Sequence, residues 1–219
     1  MEQAIFLSAS VPDPRRSPQF AETADTVAIA SAVSALVHVT LGRRILVWGG
    51  HPAITPMICL VAESIGVDYG SWVRLYQSKH FSDQFSEDNE RFRNVTYTEE
   101  IEGDRNKSLL MMRQRMLSEN RFAAAVFIGG MDGVLEEFDI FRRLQPDAVI
   151  VPVASTGGAA IELASRLPNL EKDLLDDFDY VAVFYRHLSI SVLEDRFNRP
   201  ADQPTEPDER LFQSPKTEN

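Results

Sequence analysis

Four places in this sequence bring small or flexible residues to the end of a short apolar run and the start of a helical pattern. They are Ser8-Ala9-Ser10-Val11-Pro12, Gly49-Gly50-His51-Pro52, Gly129-Gly130-Met131-Asp132-Gly133 and Ser155-Thr156-Gly157-Gly158. Glycine lets a ligand approach the backbone closely. A helix start offers free N–H groups and partial positive charge. Turn chemistry alone explains one such end. Several at one sheet edge predict a site for a nucleotide-sized ligand, touched by Ser8, Ser10, Gly49, Gly50, Gly129, Gly130, Met131 and Gly133. His51 either faces that ligand or serves its own turn, and Arg15 and Arg16, in a Pro-rich loop, are candidate anion contacts.

Arg113 and Glu136 carry the candidate catalytic chemistry. Each alone reads as an ordinary charge: a cation on a helix surface, and an acid in a first helical turn. Together, beside a glycine turn, they match the catalytic pair of a family whose resemblance is given below, and that resemblance implies cleavage of an N-glycosidic bond. That reaction passes through an oxocarbenium-like state, which a carboxylate beneath the sugar stabilises; the carboxylate can also orient a water. Arg113 would clamp a phosphate or pair with Glu136. Asp132 either caps its helix or accepts hydrogen bonds from ribose hydroxyls. It also repels a phosphate from the same turn. Glu137, about 100° round the helix from Glu136, is expected to face away. Cys59, mid-helix, reads as a core residue.

Other chemistries lack their signatures. After the first strand there is no Gly-x-Gly-x-x-Gly, and no Walker A sequence or Gly-x-Ser-x-Gly elbow follows. The four histidines (His38, His51, His80, His187) show no metal-ligand spacing, so neither a metal nor a cofactor is expected.

The site needs a scaffold. Ile5–Ser10, Arg44–Trp48, Trp72–Gln77, Val95–Thr98, Ala123–Ile128, Ala148–Ala154 and Tyr180–Tyr185 read as strands. Phe20–Leu41, Thr55–Ile65, Ser108–Asn120, Asp132–Leu144, Gly157–Leu167 and Ile190–Phe197 read as helices, and Ser78–Arg93 as a loop or short helix. The alternation predicts an α/β, Rossmann-like domain: a mostly parallel sheet of about six to seven strands with helices on both faces. In such sheets ligands bind beyond the carboxyl ends of the strands, at the switch in strand order. The domain spans 1–197, and 198–219 form a Pro-rich tail, disordered or draped on the surface. The five acids of Glu171–Asp179 read as a solvated face.

The 219 residues carry 22 Lys+Arg against 33 Asp+Glu, a formal charge of −11. That excludes a partner held mainly through a duplex phosphate backbone, but not a small anion gripped by a few arginines. One cysteine excludes an internal disulfide framework. The most apolar window, Val27–Val39, is too short to span a bilayer, and no signal segment stands at the start. A cytoplasmic setting with no membrane partner is the expectation.

The block from Leu110 to Phe138 resembles the SLOG superfamily, which includes the LONELY GUY phosphoribohydrolases and the nucleotide-sensing SLOG domains of bacterial conflict systems. The family pattern is Pro-Gly-Gly-x-Gly-Thr-x-x-Glu after an Arg-bearing helix. Gly129-Gly130 match its glycine pair, and Arg113 and Glu136 match its catalytic pair; Ile128, Asp132 and Gly133 depart from it. Gly133 replaces the threonine whose hydroxyl binds phosphate. The resemblance implies either sensing of a nucleotide-derived signal or N-glycosidic cleavage. Loss of the threonine favours a sensor of a NAD-derived or cyclic nucleotide, in defence or signalling. Retention of Arg113 and Glu136 keeps the phosphoribohydrolase as the alternative. An acidic protein-interaction scaffold is a third reading. A sensor without its own effector module implies a separate effector protein, of TIR or nuclease type, and the family implies a homo-oligomer.

Overall fold

The computed structural model describes residues 4–212. Six strands form one fully parallel sheet: β1 (Ala4–Ser10), β2 (Leu46–Trp48), β3 (Val73–Ser78), β4 (Asn94–Thr98), β5 (Phe122–Gly129) and β6 (Val149–Val153). Their order is β4-β3-β2-β1-β5-β6. The order reverses between β1 and β5, where Ser10 lies beside Gly129. Pro152, which cannot donate to a ladder, sits in the edge strand β6.

Among the described residues nine α-helical segments connect and cover the strands: α1 (Pro18–Ala21), α2 (Thr26–Thr40), α3 (Thr55–Ile65), α4 (Tyr69–Trp72), α5 (Arg105–Ser118), α6 (Asp132–Leu144), α7 (Ala159–Ser165), α8 (Asp173–Asp176) and α9 (Tyr180–His187). Helix α2 packs on α3 and α9, while α5 packs on α6 and α6 on α7. The sheet interior is mainly apolar, with the buried polar residues Ser8, Ser10, Gln77, Ser78 and Thr98 near the carboxyl ends of the strands. Phe6 on β1 stacks on Phe141 of α6 at 5.6 Å and meets Phe122 and Phe127 edge-on. Cys59 is buried in α3, and burial pushes its thiol up to about 11.

Three expectations need correction. The run Tyr180–Tyr185 is helix α9, not a seventh strand. Asp179 accepts a hydrogen bond from the Ala182 N–H and caps it, and Tyr180, Val183 and Phe184 bury at helical spacing. Phe20–Leu41 is two helices. Asp25 accepts from the N–H groups of Val27 and Ala28, so α2 starts afresh there. Ile190–Phe197 is not a helix. Glu194 in this segment is buried, ion-paired with Arg44 at 2.5 Å, and bridged antiparallel to Leu211. The loop or short helix expected over Ser78–Arg93 is two 3-10 turns, Lys79–Gln84 and Glu87–Arg91.

The described part of the Pro-rich tail is draped on the domain. Trp72 Nε1 donates to the carbonyl of Asn198, Gln203 to that of Arg43, and the Asp195 N–H to that of Arg210. The remainder, 213–219, lies outside the described residues. Among the described residues no helix is long and apolar enough to cross a membrane.

Candidate functional site

The carboxyl ends of β1, β2, β3 and β5 open into a cleft of about 410 Å³. It lies at the reversal in strand order, where open parallel sheets bind ligands. Ser10 and Arg16 enter it from the loop after β1; Gly49, Gly50 and His51 from the turn after β2; and Met131, Asp132 and Gly133 from the turn after β5. Arg113 of α5 and Glu136 of α6 line it too. Arg15 is exposed and does not line the cleft; its neighbour Arg16 does.

The glycine turn after β5 is packed from below. The Gly130 N–H donates to the Ser10 carbonyl at 2.9 Å, and the Gly130 carbonyl accepts from Ala159 at 2.9 Å. A Cβ on Gly158 would stand 2.7 Å from that same carbonyl. The two glycine turns thus touch backbone to backbone, which side chains would prevent. Gly129 and Gly130 support the cleft floor rather than its lining.

Arg113 is the hub of the polar wall. Its Nε donates to Glu137 Oε1 at 3.1 Å and its Nη1 to Glu136 Oε2; Glu137 Oε2 accepts from the Ser8 hydroxyl at 2.6 Å. The arginine side chain is 9% exposed, Glu137 15% and Glu136 63%. Glu137 therefore does not face away. It lies on the buried stripe of α6 with Val134, Phe138 and Phe141, three to four residues apart, and reaches Ser8 across β1. Glu136 projects into the open cleft. A Cβ on Gly133 would stand 2.8 Å from Arg113 Nη2, so the guanidinium crosses the space a larger residue would fill.

Asp132 is not the cap of α6. Met131 holds the N-cap position and no side chain caps the helix, while Asp132 stands exposed in the first turn. The Met131 thioether accepts a hydrogen bond from the Asp13 N–H at 3.4 Å, tying the two loops together.

His51 Nδ1 accepts from the Ala53 N–H at 3.2 Å, so the ring proton sits on Nε2. Burial, and then the Arg16 charge, hold its pKa below the ordinary histidine value. The imidazole is neutral near pH 7, a donor at Nε2.

Sequence reasoning missed the far wall. Phe81 and Phe85, from the first 3-10 turn and its C-cap, line the cleft with Leu109 and Met112 of α5. Arg105, at the start of α5, lies over the Phe81 ring at 5.9 Å. Two phenylalanines four apart in an otherwise polar stretch were the available signal.

One group of metal-ligating type occurs among the described residues: Glu171, Asp173 and His187, their ligand atoms within 4.8 Å of one another. Asp173 already accepts from Arg186 at 2.8 Å and His187 at 2.9 Å. Burial works to raise its carboxyl, but those bonds outweigh it and hold the pKa below the usual range. The arrangement pins α8 to α9.

Among curated proteins none matches this sequence. The X-ray structure of the structural-genomics target TM1055 is similar in fold, with a TM-score of 0.51 over 84% of this chain and 99% of that one, at 14% identity. At that identity the likeness is one of fold alone. The family model described as the SLOG cluster3 family matches residues 19–188, a stretch containing most of the sheet, the polar wall and the aromatic wall. The chain belongs to the SLOG cluster3 family.

Proposed function

We infer that the cleft binds a nucleotide or nucleotide-derived signal, NAD-derived or cyclic, and that the chain is a sensor in a bacterial defence or signalling system. Membership of the SLOG family supports a nucleotide-type ligand. The walls of the cleft suit one. Phe81, Phe85 and Leu109 give a planar ring an apolar face. Asp132 and Glu136 are exposed acceptors for sugar hydroxyls.

The observation that carries the sensing reading is the Arg113 network. Its guanidinium is committed to Glu136 and Glu137 and lies over Gly133. The wall thus lacks both a free Arg113 and the hydroxyl of a threonine. A second reading, phosphoribohydrolase action on a nucleoside monophosphate, is favoured by Glu136 itself, a carboxylate 63% exposed in the cleft and backed by an arginine.

Thermal melting with AMP, NAD, ADP-ribose and cyclic nucleotides tests binding. A rise in Tm that is lost in Arg113→Ala is the expected result; no shift with any of them refutes the reading. Chromatography of the same mixtures separates the two readings. Free base whose release vanishes in Glu136→Gln identifies the hydrolase, and intact ligand the sensor. A sensor of this kind would work through a separate effector protein, of TIR or nuclease type, or through assembly into a homo-oligomer.

A further inference from the structure

The cleft has two polar walls of different character. On the α6 side stand three acids, Asp132, Glu136 and Glu137. The arginine among them, Arg113, already donates to two of the three. A phosphate at this wall would meet carboxylates and no uncommitted cation. At the other arginines of the cleft the balance differs. Arg105 lies over the Phe81 ring and donates to Asn106. The Arg16 guanidinium makes no hydrogen bond or ion pair among the described residues. The acid of its own loop, Asp13, is turned instead to the Arg15 backbone N–H at 2.9 Å.

We propose that Arg16 and His51 form the phosphate subsite of the cleft, and that the ligand is a nucleotide whose phosphate lies at the ends of β1 and β2. The proposal rests on the nucleotide reading above. Arg16 supplies the charge. His51 supplies a neutral Nε2–H, its tautomer fixed by the Ala53 bond. The two residues come from adjacent strand ends, those of β1 and β2, and both line the cleft. After burial, the Arg16 charge helps to hold the His51 pKa low, in keeping with that placement. With the phosphate there, the sugar extends toward the acids of α6. The base is then left for the aromatic wall.

The test compares AMP with adenosine, which differ only in the phosphate, by calorimetric titration of the full chain. AMP should bind about tenfold or more tighter, the scale of a charge-assisted contact. Arg16→Ala should erase most of that advantage, Arg16→Lys should retain much of it, and Asp132→Asn should not diminish it. The Arg16 side chain is exposed and makes no hydrogen bond or ion pair among the described residues, so its variants should melt like the parent. An AMP advantage that survives Arg16→Ala overturns the subsite. Equal binding of adenosine and AMP overturns it too, while leaving the nucleotide reading intact. Binding of neither overturns the subsite as a site for a nucleoside monophosphate, whereas the nucleotide reading falls only when NAD, ADP-ribose and the cyclic nucleotides also leave the melting unchanged.

Discussion

The two carboxylates on Arg113 should contribute unequally, and the order is not that of their contact lengths. The Glu136 contact is the shorter, but that side chain is 63% exposed, so water and salt screen it. Exposed ion pairs of this kind contribute about 0–1 kcal/mol. Glu137 is 15% exposed, accepts from a buried Ser8 hydroxyl at 2.6 Å and from Arg113 at 3.1 Å, and sits against a 9% exposed guanidinium. Hydrogen bonds to charged groups in such settings contribute about 1.5–3 kcal/mol. Full loss of a buried partner costs about 3–5 kcal/mol, but Arg113 would keep Glu136, so the lower range applies. Double-mutant cycles in urea, pairing Arg113→Ala with Glu136→Ala and with Glu137→Ala, measure the two couplings. The expectation is about 2 kcal/mol with Glu137 and under about 0.5 kcal/mol with Glu136. Equal couplings, or a larger one with Glu136, would refute the argument that burial rather than contact length decides.

Three further outcomes follow from other contacts. Gly133→Thr brings a Cβ to 2.8 Å from Arg113 Nη2. The helix gains under about 1 kcal/mol by losing a glycine, and crowding costs about 1–3 kcal/mol; thermal melting should show net destabilisation, and a stabilised variant contradicts the packing described. Phe81→Ala should weaken a bound nucleotide about 5- to 150-fold, the range for one stacked base, with little change in urea midpoint because the ring is half-buried. Asp173 has a depressed folded pKa, so its contribution is present above the unfolded value near ~3.9 and is lost as pH falls through the lower folded value. Asp173→Asn should therefore cost about 1 kcal/mol at pH 7, discounted because Arg186 is half exposed. The gap from the parent should close in acid, and a gap that widens below pH 4 has the wrong sign.

What the sequence disclosed follows the range of the forces involved. Helices α3 and α6 are legible to the residue because their ends are local: Gly66 stops one, and the glycine turn with Asp132 opens the other. All six strands of the sheet lie within about two residues of expectation, since a buried parallel strand is a short apolar run. Helix α9 was misread because Tyr-Val-Ala-Val-Phe-Tyr is rich in strand formers; its cap, Asp179, and its packing on α2 override that preference. In the site, residues at strand ends were legible because topology puts them there. Glu137 is legible in the buried stripe of α6, three residues from Val134 and four from Phe141; the 100° step from Glu136 separates the two acids but does not say which one faces the core. The choice of Arg16 over Arg15 depends on how the loop after β1 folds, and the Phe81–Phe85 wall on how two 3-10 turns fold back over the strand ends. The first is not written in a local pattern, and the second shows there only as two phenylalanines four apart in a polar stretch.

The charge of the chain takes on a different meaning at the cleft. The molecule carries −11, yet the cleft is lined by three arginines and three acids. Local balance lets a small anion enter a protein whose surface repels polyanions. The balance is also polarised. The acids stand together on α6, and the one arginine among them is bonded to two of them. The helix start that a phosphate would ordinarily favour is therefore the most acidic part of the cleft. Losing the threonine and gaining Asp132 are then two aspects of one change: the turn has the chemistry to accept hydrogen bonds from hydroxyls rather than to grip a phosphate. If that is the logic of the site, removing the charge at Asp132 should weaken a ribose-bearing ligand and leave its phosphate advantage in place. Asp132→Asn titrated with adenosine and with AMP reads both quantities. A variant that binds adenosine as tightly as the parent, and AMP more tightly, would return Asp132 to a purely repulsive role.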